Sequence, residues 1–97
     1  MSEAKFSIPT VWKFPVPFPG PDVFEIEMPQ HAEVLTVQVQ HGELQMWAYC
    51  NPSFALVPRH FRIAGTGHPI TDEIQKYVST FQIAGGILVF HVFEVHS

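Results

Sequence analysis

The stretch Arg59–Glu73, "RHFRIAGTGHPITDE", brings two arginines, two histidines and two glycines together ahead of a candidate helix start. A glycine turn feeding a helix N-terminus can hold an anion, because the backbone N–H groups there lack partners and the helix dipole favours negative charge. The candidate ligand-binding residues are therefore Arg59, His60, Arg62, Thr66, Gly67 and His68, with the arginines able to grip phosphate bidentately. The stretch lacks the Lys-Ser/Thr ending of a P-loop and the spacing of a dinucleotide fingerprint. Its glycines are equally explained by backbone conformations that other residues avoid, with Pro69 fixing the exit. The other basic residues, Lys5, Lys13 and Lys76, lie elsewhere.

Six histidines raise the question of a metal, since neutral imidazole is a common ligand. Their spacing argues against it: His91 and His96 have opposite parity on the last strand, and no local carboxylate or third histidine completes a site with His60 and His68. We expect no metal and no cofactor. Cys50 has no neighbouring base or helix N-terminus to activate it, and Glu25 and Glu27 share a face that should be solvated, so no residue is assigned as catalytic. The chain is read as a non-enzyme. With a single cysteine it can form no intrachain disulfide and no cysteine-rich zinc cluster, which fits a reducing compartment.

Composition narrows the class further. Ninety-seven residues make one domain with one core, and 13% aromatic residues favour strands. A formal net charge of -4 with only five Lys plus Arg argues against an electrostatic grip on nucleic acid or an anionic membrane. "MSEAKFSIPTVWKF" reads neither as a signal peptide nor as a membrane helix, so the expected location is the cytoplasm.

The elements that must carry these residues read as strands. Thr10–Phe14 is followed by "FPVPFPGPD", whose prolines repeat every second residue; groove recognition needs them three apart, so the segment is read as a stiff connector. Asp22–Met28 alternates, with Phe24, Ile26 and Met28 on one face and Glu25 and Glu27 on the other. Glu33–Gln40 and Leu44–Cys50 flank His41-Gly42, a two-residue hairpin loop. The predicted register sets Val39 against Leu44, Val37 against Met46 and Leu35 against Ala48, with Gln38–Gln45, Thr36–Trp47 and Val34–Tyr49 on the other face. "NPSFALVP" is read as a loop and Arg59–Ala64 as a strand with His60 and Arg62 outward. In "ITDEIQKYV", Ile70, Ile74 and Tyr77 or Val78 recur at helical spacing, which predicts a short helical turn capped by Thr71 or Asp72. Gly85-Gly86 joins Ser79–Ala84 to Ile87–Val95, pairing Ile83 with Leu88, Phe81 with Phe90, Gln82 with Val89 and Thr80 with His91.

The order "EIEMP", "AEVLTVQVQHG", "LQMWA", "HFRIAGTGHPI", "YVSTFQ" and "GGILVFHVFE" closely resembles a family of small uncharacterised proteins from tailed bacteriophages and prophages. The resemblance runs from Trp12 to Glu94. It implies expression inside an infected bacterium, hence the host bacterial cytoplasm, and it carries no established activity, substrate or catalytic residue.

The expected fold is all-β: a small antiparallel sandwich or open barrel of six or seven strands with one short helical turn. "ILVFHVF" is apolar on both faces, and Trp47 and Tyr49 face away from the apolar side of their hairpin. These features predict a homodimer or higher homo-oligomer with Trp47, Tyr49, Val89, His91 and Phe93 in the contact. The leading functional expectation is an accessory protein that acts by binding a host protein. The alternatives are an oligomeric binder that sequesters a nucleotide signal near Arg59–His68, and a minor structural or assembly component of the virion.

Overall fold

The computed structural model describes residues 8–96; Lys5 lies outside them. Seven strands form two antiparallel sheets: β1 (Thr10–Pro15), β4 (Glu43–Cys50) and β3 (Glu33–Gln40) in one, and β2 (Val23–Pro29), β5 (Leu56–Gly65), β7 (Leu88–Val95) and β6 (Ile74–Ile83) in the other, each in that spatial order. The expected all-β sandwich is what forms. Met28, Phe61 and Val92 from one sheet meet Val37, Met46 and Ala48 from the other, all fully buried. Period-two alternation produces this arrangement directly, because each strand turns one set of side chains inward.

The sandwich is closed along one side. β3 and β6 are edge strands, and the buried Ser79 hydroxyl donates to the Val37 carbonyl at 2.7 Å while accepting the Val37 N–H at 3.0 Å. One side chain thus satisfies both backbone groups of an edge residue that no strand covers. At one end of the layers, Arg59 and Glu94 form an ion pair between β5 and β7, and Arg59 Nη1 also donates to the Ala32 carbonyl at 2.9 Å. Ala32 lies in the β2–β3 turn, so this contact ties the sandwich end together.

The predicted hairpins hold with local exceptions. His41 and Gly42 both take positive φ, 52° and 79°, as a two-residue loop between right-twisted strands requires. Val39–Leu44, Gln38–Gln45, Val37–Met46 and Thr36–Trp47 pair as expected. A β-bulge between Val34 and Thr36 then shifts the ladder, so Ala48 faces Val34 and Tyr49 faces Glu33. Leu35, expected against Ala48, is the extra residue and is exposed. The four pairs predicted around Gly85-Gly86 all form.

Two expectations are corrected. Leu56–Pro58, read as loop, belongs to β5 and pairs with β2. Pro58 is accommodated because it lies beyond the His60–Val95 pair where the β7 ladder begins, so β5 is paired on one side only. No helical turn follows Pro69: Ile74–Ile83 is a ten-residue strand, and the one helical element among the described residues is a 3-10 turn, Ala84–Gly86, at the β6–β7 tip. β6 carries two irregularities, between Ile74 and Lys76 and between Tyr77 and Ser79. Each inserts a residue and reverses parity, so same-face residues such as Tyr77 and Thr80 stand three apart. A bulged strand therefore imitated the helical period.

Candidate functional site

β5 carries the candidate ligand residues, and its alternation divides them. Phe61 and Ile63 point into the core, so Arg59 shares their inner face while His60 and Arg62 point outward. Arg59 Nε and Nη2 grip the two oxygens of Glu94, whose side chain is only 8% exposed. On the outer face, Arg62 Nε and Nη2 both reach Asp72 Oδ1 at 2.6 Å, and Nη1 lies 3.8 Å from Asp22 Oδ2. His60 Nε2 is 3.3 Å from Glu25 Oε1. The positive cluster read from sequence is thus split between two faces, and each arginine meets a carboxylate. The sequence offers Asp72 only as a helix cap and gives Glu94 no role. The signal for Glu94 is register: pairing β5 with β7 sets Phe61 against Glu94 and makes Glu94 a diagonal neighbour of Arg59, whereas Asp72 reaches Arg62 through the return of the β5–β6 loop.

The glycine corner is built by backbone needs. Gly67 has φ of 89° with open space around it, a conformation that favours glycine. Gly65 lies under the His68 ring: a Cβ there would be 3.1 Å from the imidazole. The N–H of His68 closes the turn on the Gly65 carbonyl at 3.0 Å. No helix N-terminus follows, since the next element is the strand β6, so an anion cradle at this corner lacks its helix.

Thr66 belongs to a different constellation. Its Oγ1 is 2.7 Å from His91 Nε2, and His91 Nδ1 is 2.9 Å from Thr80 Oγ1, which in turn shares a 2.8 Å hydrogen bond with the Tyr77 hydroxyl. The chain Tyr77–Thr80–His91–Thr66 crosses the outer face of the four-stranded sheet. It joins β6, β7 and the β5–β6 loop. The predicted Thr80–His91 pairing located its centre; Tyr77 enters through the bulge, which parity alone does not reveal. Both imidazole nitrogens are occupied by hydroxyls, fixing the ring.

The residues expected in an oligomer contact lie on opposite surfaces. Met46 and Ala48 are buried, so Trp47 and Tyr49 face out from the three-stranded sheet; Val92 is buried, so Val89, His91 and Phe93 face out from the four-stranded one. The five therefore form two patches on opposite faces rather than one. The Phe93 ring meets Tyr77 edge-on at 5.7 Å, and Tyr77 is 53% exposed.

Two clefts flank β5. One, about 460 Å³, lies between Arg59, His60, Lys76, Glu94 and His96. The other, about 400 Å³, opens under the proline-rich connector beside Phe18, Asp22, Arg62, Ile63, His68 and Phe90. Among the described residues no group of three or more His, Cys, Asp or Glu is placed to hold a metal ion. Cys50 is buried, and burial pushes its thiol pKa up, a hydrogen bond with the Trp12 backbone offsetting part of the rise. Its thiol is therefore a poor nucleophile at neutral pH. No helix among the described residues is long and apolar enough to cross a membrane.

No curated protein matches the chain. No solved structure matches it either. A family model does match, over residues 8–97, and by that match the chain belongs to DUF7352, a domain of unknown function.

Proposed function

We propose that this protein works by binding a partner protein rather than by catalysis, and that it is a phage or prophage accessory protein acting on a host protein in the bacterial cytoplasm. The observation that carries the reading is the outer face of the four-stranded sheet. Tyr77 projects from it against the Phe93 ring, and the Tyr77–Thr80–His91–Thr66 hydrogen bonds hold that surface in one arrangement before any partner arrives. A rigid, amphipathic tyrosine packed on an aromatic ring is the residue pattern of an interface anchor, since little side-chain freedom is left to lose on docking. The resemblance of "GTGHPI", "YVSTFQ" and "GGILVFHVFE" to phage and prophage proteins supports the biological setting.

The same face supports self-association, with Val89, His91 and Phe93 at its centre. A nucleotide bound through the arginines is a weaker reading, because Arg59 and Arg62 already hold Glu94 and Asp72. Affinity purification of the tagged protein from infected cells, beside a Tyr77→Asp variant, tests the proposal. A stoichiometric host protein that is retained by the parent and lost from the variant is expected, with Tyr77→Asp melting as the parent does. Retention of the same partner by both removes this face from the reading.

A further inference from the structure

The cleft beneath the proline-rich connector contains a matched set of groups that the partner-binding face does not use. β2 stops pairing with β5 at Val23–Arg62, and the last bond between them runs from the Ile63 N–H to the Asp22 carbonyl at 2.8 Å. Beyond that point the chain swings away as residues 16–21, and β5 continues without a neighbour on that side. The space so created is about 400 Å³, within the size range of small-molecule sites.

Its wall is aromatic. Phe18 and Phe90 line it with ring centroids 5.1 Å apart and planes at 69°, so a flat ligand lying on one ring meets the edge of the other. Its rim is polar, and the polar groups differ in how far they are already committed. Arg62 uses Nε and Nη2 on Asp72, whereas Nη1 is 3.8 Å from Asp22, beyond hydrogen-bond distance. Asp22 is 79% exposed, and its backbone is held by Ile63, which keeps the carboxylate at the mouth. The rim therefore presents one carboxylate acceptor beside one guanidinium donor, over an aromatic floor. His68 stands on the opposite side above Gly65.

We infer that this cleft is a binding site for a guanine base. Guanine stacks on the phenylalanine wall, and its edge carries two adjacent N–H donors with a carbonyl beside them. The donors match both oxygens of the Asp22 carboxylate, which can only accept, and the carbonyl matches Arg62 Nη1. Adenine and cytosine set a ring-nitrogen lone pair next to their amino group and so face the carboxylate with an acceptor; uracil offers a single donor between two carbonyls. Charge points to the base rather than to phosphate. Arg62 with Asp22 and Asp72 sums to one net negative charge at the rim, in a chain of net charge -4. The phosphates of a nucleotide or strand consequently project away from the site and contribute little.

Calorimetric titration of the full chain with guanosine, adenosine, inosine, GMP and a guanine-containing trinucleotide tests this inference. Guanosine is expected to bind at least about tenfold tighter than adenosine or inosine, since one bidentate edge contact is worth about that factor or more. Asp22→Asn should weaken guanosine at least about tenfold while melting as the parent does, because the side chain is exposed. Amide shifts in NMR spectra should centre on Ile63, Gly65 and Phe90. GMP and the trinucleotide are expected to bind about as tightly as guanosine because their phosphates lie outside the site, and a grip on either that is more than about tenfold tighter overturns the assignment to the base. Equal affinity for guanosine and adenosine overturns the inference, as does unchanged guanosine binding by Asp22→Asn. Absence of binding by guanosine, GMP and the trinucleotide in the millimolar range also overturns it.

Discussion

Arg59 and Arg62 occupy the same strand and both meet carboxylates, yet they do different jobs. Arg59 points inward, grips Glu94 through two nitrogens and donates a third bond to the Ala32 carbonyl, so it joins β5, β7 and the β2–β3 turn. Arg62 points outward, spends two nitrogens on one oxygen of Asp72 and leaves Nη1 loosely placed near Asp22. One pair closes the fold, and the other anchors a loop while keeping a donor in reserve. The two guanidiniums are equally sheltered, 21% and 20% exposed, so the carboxylates make the difference: Glu94 is 8% exposed and Asp72 21%, and the more deeply buried pair is the costlier one to break.

The largest test of that contrast is Glu94→Ala, which leaves a mostly buried guanidinium without its carboxylate. We expect a loss of about 3 kcal/mol, read as a lower urea midpoint with an unchanged slope. Next comes Ser79→Ala, which removes both hydrogen bonds to the Val37 backbone at the seam between the sheets. A loss of about 2 kcal/mol should accompany it, with faster hydrogen exchange at the Val37 amide. Arg62→Ala should cost about 1 kcal/mol or less, and that loss should shrink as salt rises. If Arg62→Ala proves as damaging as Glu94→Ala, the division between a closing pair and an anchoring pair is wrong.

The smallest effect concerns pH. Burial raises the Cys50 thiol pKa in the fold, so the folded chain holds that proton more tightly than the unfolded one. Its contribution is fully present below the unfolded thiol range, about 8.5, and is lost as pH rises through the folded value. Cys50→Ala should flatten the alkaline decline in stability, checked by melting curves at several pH values. Alkylation of native Cys50 should correspondingly be slow.

The Thr80–His91 pair follows from counting outward from Gly85-Gly86, because a tight hairpin leaves no freedom in register. The division of Arg59 from Arg62 was implicit in the same alternation that placed Phe61 inward. The carboxylates that hold them were not legible, since Glu94 and Asp72 come from other segments and meet β5 only through strand pairing and loop return. Bulges set a second limit. In β3 and β6 an inserted residue reversed parity, exposing Leu35 and making a strand resemble a helix.

The sequence by itself determined an all-β chain, its two tight hairpins and the inward face of most strands, since these depend on local conformation and a two-residue period. Only the tertiary structure decided that the arginines are neutralised, that Trp47 and His91 face opposite ways, and that the connector leaves a cleft beside Arg62 and Asp22. Those outcomes depend on which segments far apart in the chain become neighbours. Sheet order and bulges set that, and neither is written in the spacing of residues along one strand.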